Sequence, residues 1–142
     1  MSEETGPTIV KIEDVRVLER GSGIRTWPLI THHNAAGAKF TTGMSVYPRG
    51  EGAPMHCHNC DEQVTLLEGV GEVEIDGVVT PLVPYDSTYI QANRQHCFRN
   101  RGDGPMRILW IYASQNVTRT FGDTGETVEH LSAADLMGAP DE

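Results

Sequence analysis

The chain has 142 residues, 38% hydrophobic and 22% charged, with a net charge of -9 at neutral pH. That length suits one domain able to bury roughly 68–70% of its unfolded surface without disulfides or metal staples. The acidic balance argues against a nucleic-acid partner, whose phosphates require clustered Lys and Arg, and no apolar run is long enough to span a bilayer.

The N-terminus, Met1-Ser-Glu-Glu-Thr, lacks the basic and apolar parts of a secretion leader. A cytoplasmic chain with reduced Cys57, Cys60 and Cys97 is therefore expected. Residues 1–7 read as a flexible arm, 8–121 as a single β-barrel domain, and 122–142 as a tail. Alternating apolar residues predict a strand over Thr8–Leu18. Gly21-Ser-Gly23 is a turn, Ile24–Ile30 a short strand broken at Pro28, and Asn34–Gly37 a second turn. Phe40–Tyr47 is β-rich, and Pro48–Pro54 is a Gly/Pro loop. Short strands follow near Met55–His58, Glu62–Leu67, Glu72–Ile75 and Val78–Val83. Asp76-Gly77 is a strong hairpin signal. Ser87–Ile90, His96–Asn100, Met106–Ala113 and Val117–Phe121 complete the set, and Ser132-Ala-Ala-Asp135 reads as a capping box before a short C-terminal helix ending near Gly138. Many short strands with Gly, Asp and Pro turns indicate an all-β sandwich or barrel.

The chemistry concentrates between Gly50 and Gly69. His56 and His58 are one residue apart, so in a strand both point to one side. If the chain turns through Asn59–Asp61 and returns as a second strand, Glu62, Val64 and Leu66 share a face. Two imidazoles and a carboxylate then meet, the kind of cluster that holds a divalent metal. Gly50, His56, His58, Glu62 and Gly69, followed by His96-Cys-Phe-Arg-Asn100, resemble the two conserved motifs of the cupin superfamily. The likeness runs from about Phe40 to Tyr112 and implies a double-stranded β-helix, a jelly-roll barrel. It also implies one divalent ion per chain (Fe, Mn, Ni, Zn or Cu) on His56, His58, Glu62 and His96, with Asn100 as a supporting residue and the chain paired as a homodimer. Three positions depart from the family pattern: Tyr85 stands where cupins usually have glycine, and Gln91 and Asn93 where they have proline and glycine. A bulky residue such as Tyr85 is strained if its φ is positive, whereas Asn93 tolerates that conformation better.

The resemblance implies a small-molecule substrate or ligand. Oxygen-dependent cleavage of an enolisable compound is the first expectation, making the protein a dioxygenase-type oxidoreductase. A metal-assisted isomerase or lyase comes next, and a non-catalytic cupin binding a sugar or metabolite belongs to a different class. Glu62 is a ligand or, if detached, a general base. Phe98 shares a face with His96 and is a candidate pocket wall. Trp110 is another, though core packing accounts for it equally well. His32 and His33 read as a loop at the entrance and His130 as exposed. Arg94, Arg99, Arg101 and Arg107 read as a solvated edge, with an anion-binding role for some of them as the lesser alternative. Cys57-His-Asn-Cys60 has the form of a zinc or redox pair but lacks the second pair of a zinc ribbon. Strand alternation places Cys57 opposite His56 and His58. Cys57→Ser is therefore expected to leave the metal content per chain unchanged, and loss of metal in that variant would overturn the face assignment.

Overall fold

The computed structural model describes residues 7–132 and Asp135. The arm at 1–6 and most of the expected C-terminal helix lie outside these described residues. Twelve strands follow a 3-10 turn at Ile12–Asp14: β1 Leu18–Gly21, β2 Ile24–Ile30, β3 Thr41–Tyr47, β4 His56–His58, β5 Glu62–Glu68 and β6 Gly71–Ile75. The second half contributes β7 Val78–Leu82, β8 Ser87–Ile90, β9 His96–Asn100, β10 Met106–Tyr112, β11 Thr118–Phe121 and β12 Thr127–Glu129. They form two six-stranded sheets, ordered β1-β2-β3-β10-β5-β8 and β12-β11-β4-β9-β6-β7. Every pairing is antiparallel. This is the all-β jelly-roll architecture expected from the sequence.

Side-chain alternation explains why these segments pair as they do. Met106, Ile108, Trp110 and Tyr112 of β10 are buried, while Arg107, Leu109 and Ile111 between them are partly exposed. Glu62, Val64 and Leu66 of β5 face the same interior. The register sets Tyr112 beside Glu62, Trp110 beside Val64 and Ile108 beside Leu66. The interior is thus graded along the strands. Ile108, Leu66, Val73 and Met106 build an apolar core toward one end, and polar groups gather at the other. Gly43 lies against the Trp110 ring, where an added Cβ would sit 2.2 Å from the indole. Only glycine fits there.

Three sequence expectations need correction. Thr8–Leu18 is not a strand: the chain turns at Ile12–Asp14, and Ile9 and Ile12 are exposed, so their alternation reports no buried face. Pro28 does not break β2. The ladder to β1 ends at Leu18↔Thr26, leaving one side of Pro28 unpaired, and a register shift near Pro28 accommodates the ring on the β3 side. Finally, β4 and β5 do not pair with each other. They belong to opposite sheets, so residues 59–61 carry the chain across the barrel and Glu62 meets the histidines face to face. β12 also adds a strand in the stretch read as tail.

Tyr85 and Asn93 both adopt positive φ, 76° and 67°. Tyr85 is 77% exposed, so its side chain returns little packing for the strain. The left-handed conformation costs an L-residue roughly 1–2 kcal/mol, against about 0.5–1 kcal/mol for glycine's extra flexibility. Tyr85→Gly is expected to raise stability by up to about 1 kcal/mol, seen as a higher Tm. A fall in Tm would show that the tyrosine side chain stabilises the turn.

Candidate metal centre

β4 and β9 meet at His56↔His96, which sets these two imidazoles side by side. Alternation along β4 turns His58 to the same interior, where β11 flanks it through Arg119↔His58. Glu62 arrives from the facing sheet as the first residue of β5. All four side chains are buried. The candidate ligand atoms of His56, His58 and His96 lie within 4.8 Å of one another. Glu62 Oε1 is 3.0 Å from His96 Nε2 and 3.8 Å from His58 Nε2.

Backbone carbonyls orient each ring. Nδ1 of His56 donates to Pro54 O at 2.6 Å, that of His58 to Thr118 O at 3.0 Å, and that of His96 to Arg94 O at 2.8 Å. A carbonyl only accepts, so the proton of a neutral ring sits on Nδ1 and the Nε2 lone pair is left bare. Fixing the tautomer and ring angle from behind is how proteins prepare metal-binding imidazoles. Burial keeps two of these rings uncharged: it drives His58 down to about 3, with Glu62 opposing and Arg119 assisting, and holds His56 well below its ordinary value. Burial also pushes Glu62 upward, but the neighbouring His96 and His58 imidazoles and the Arg119 guanidinium outweigh it and hold the carboxyl below its usual range.

A cation fits this donor set. Glu62 Oε1 and His96 Nε2 face each other at 3.0 Å, yet neither has an aligned hydrogen-bond partner. A carboxylate oxygen opposed to a bare imidazole lone pair is unfavourable unless a positive charge stands between them. Three nitrogen donors and one oxygen suit several first-row divalent ions. The cysteines stay outside: among the described residues, only the three histidines form a metal-capable cluster. Cys57 and Cys97 are buried away from the core cluster, with Cys97 Sγ 3.0 Å from Arg99 Nη1. Burial pushes the Cys60 thiol up to about 11, which disfavours a thiolate ligand.

The surrounding shell combines expected and unexpected residues. Phe98 and Trp110 line a cavity of about 20 Å³ with His56 and Glu62, room for roughly one water. Tyr112 places its hydroxyl 3.2 Å from His58 Nε2. Burial and the Glu62 charge raise its pKa well above the ordinary phenol value, so the hydroxyl keeps its proton and acts as a hydrogen-bond donor. Asn100 acts structurally, holding Tyr47 O and Gly104 O at 2.9 Å and receiving Gly102 N. His130, expected to be exposed, is instead partly buried with its ring 4.8 Å from Tyr112 and 6.1 Å from His58. His32 and His33 stay outside on an exposed turn, where His32 contacts Gln115 O. The arginine edge is ion-paired: Arg94 with Asp76, Arg99 with Glu72 and Glu74, Arg101 with Glu72, and Arg107 with Glu68. The interior cations are Arg20 and Arg119, which sequence reading missed. In Val117–Phe121 alternation puts Arg119 on a face with Val117 and Phe121, a legible sign of an inward arginine.

Residues 43–112 match the family model described as Cupin domain. The chain is 31% identical over 129 residues to Protein SchB of Streptomyces halstedii, covering 88% of this chain and 92% of that one. It is 29% identical over 106 residues to Polyketide synthase CurC of Streptomyces cyaneus, covering 73% and 68%. Among solved structures, a cupin-superfamily sugar phosphate isomerase from Silicibacter pomeroyi superposes with a TM-score of 0.69 at 20% identity, covering 89% and 88%.

His58→Ala and His96→Ala are each expected to lose most bound metal while keeping the β-sheet circular dichroism of the parent, because the ligands project from scaffold strands. Parental metal content in both variants would refute the site.

Proposed function

The chain belongs to the cupin family, and from that premise we propose that it is a mononuclear metal-dependent enzyme that enolises a small carbonyl compound. The observation that carries this reading is the convergence of three imidazoles with an ionised carboxylate and a protonated phenol, hydrogen-bonded to His58 Nε2, in one buried pocket. A divalent ion bound there would polarise a carbonyl oxygen and acidify the neighbouring C–H. His56, His58 and His96 supply the imidazole ligands and Glu62 completes the set. When Glu62 detaches from the ion it would receive the proton taken from carbon, and the Tyr112 hydroxyl would donate to the substrate oxygen. Phe98 and Trp110 exclude water, which strengthens every charge interaction inside. The relative named as a polyketide synthase supports the substrate class, since polyketide chains carry carbonyls on alternate carbons and the C–H groups between them enolise readily.

Oxygen-dependent cleavage is the second reading, favoured by the same ligand set, because it too begins from an enolisable substrate held on the metal. The two part company at oxygen. Deuterium incorporation from D2O into a panel of β-keto acids and β-diketones, followed by NMR in air and under nitrogen, separates them. Metal-dependent exchange above background in both atmospheres is the expected result, with Tyr112→Phe slower by roughly 10²-fold at unchanged metal content. Turnover only with oxygen uptake would establish the dioxygenase, and saturable binding with neither exchange nor oxygen uptake would mark a non-catalytic binding protein.

A further inference from the structure

Beside the triad the barrel holds a second polar cluster. Arg20 of β1 and Arg119 of β11 enter from opposite sheets, are 2% and 4% exposed, and line the same small cavity as His56 and Glu62. Between them sits Asp135, with no exposed surface. Arg20 Nη2 reaches Asp135 Oδ2 at 3.3 Å and its backbone O at 2.7 Å, and Arg119 Nε lies 3.1 Å from Oδ1. A chain of buried hydrogen bonds steadies Arg20 from behind: Nη1 donates to Thr26 Oγ1, which contacts Ser45 Oγ, which receives Trp110 Nε1.

We propose that Arg20 and Arg119 form a carboxylate-binding subsite opening onto the metal centre, and that Asp135 fills it as an intramolecular occupant until a ligand carboxylate replaces it. The fit of Asp135 is incomplete. It makes no two-pronged contact with the Arg20 fork, the geometry in which guanidinium and carboxylate bind best, and Arg20 Nε and Asp135 Oδ1 are buried without a hydrogen-bond partner among the described residues. Holding Asp135 inside also imposes strain: Leu131 sits at φ 67°, and its N–H is tied to Asp135 Oδ2 at 2.8 Å. A ligand carboxylate would use the Arg20 fork more fully and release that turn.

Charge counting points the same way. Among the described residues, Arg20 and Arg119 offset the charges of Glu62 and Asp135. A divalent ion leaves two uncompensated positive charges away from water, so the loaded site favours an anionic ligand. A larger pocket adjoins the inner cavity at His130. A cavity of about 640 Å³ outside the barrel mouth, lined by Val10, Leu18, Val117, His130 and Leu131 among others, has the size of a small-molecule pocket, and His130 lines both it and the inner cavity. The subsite deepens the proposed function by naming the ligand as a carboxylate, and it rests on that reading only for the chemistry that follows binding.

Malonate, tested on the full chain with and without added metal, decides the matter. Its binding is followed by calorimetry and the Leu131 amide by NMR hydrogen exchange. Saturating malonate is expected to speed exchange at Leu131 at least tenfold in the metal-free parent, as Asp135 leaves. Asp135→Asn, which removes the competing carboxylate, is expected to bind malonate at least tenfold more tightly than the parent, and adding Arg119→Gln to abolish that gain. Unchanged Leu131 exchange would make Asp135 a structural tie and overturn the proposal, as would malonate binding that Arg119→Gln leaves unchanged, which would mean coordination to the ion. If Asp135→Asn does not fold, the parent's exchange result decides alone. Metal content, measured separately, keeps the two claims apart: a chain that takes up no metal yet binds malonate at the arginines refutes the enzyme reading and supports the subsite.

Discussion

The structure depends on the backbone carbonyls of Pro54, Arg94 and Thr118, which hold three imidazoles by their Nδ1 atoms. Each bond fixes a tautomer and a ring angle, and together they aim three lone pairs at one point inside the protein. Burying such donors, with the Glu62 carboxylate beside them, is costly unless a cation or proton completes the cluster. The fold opposes that cost by concentrating its apolar surface farther along the same strands. β5 runs from Glu62 through Val64 to Leu66, and β10 from Tyr112 through Trp110 to Ile108, so each contributes one end to the site and the other to the core. The motif glycine at Gly69 serves the core end. Its φ is 93°, and an added Cβ would come within 2.4 Å of Pro105 O, so the turn leaving β5 closes only without a side chain.

This division assigns function to one end of the barrel. The triad, Glu62, Tyr112 and the Arg20–Asp135–Arg119 cluster lie there. The four formal charges cancel when no ion is present, and a loaded site carries a positive excess. A carbonyl substrate that develops negative charge on enolisation is stabilised by that excess, and a substrate carrying a carboxylate would be drawn to the arginines as well.

Much of this was legible in the sequence because it is local. Asp76-Gly77 turns a hairpin, Ser87–Ile90 and His96–Asn100 are strands with those bounds, and alternation places His56 and His58 on one face with Cys57 away from the metal-capable cluster. What was not legible is long-range. Residues 59–61 cross between sheets, an arrangement that depends on β4 finding β9 and β11 far along the chain. Arg20 and Asp135 are 115 positions apart, and neither stands in a motif. The Thr8–Leu18 error has a different origin: its apolar residues alternate, but the fold leaves Ile9 and Ile12 uncovered, and alternation marks a strand only when another layer covers one side.

The central claim is that the three imidazoles and Glu62 hold one metal ion, and elemental analysis of freshly purified, tag-free protein with X-ray absorption of the bound ion tests it most directly. The account predicts about one first-row divalent ion per chain with imidazole nitrogens dominating its coordination shell. Protein isolated without metal that takes up none on reconstitution with each candidate ion, or an ion coordinated by sulfur, would contradict it.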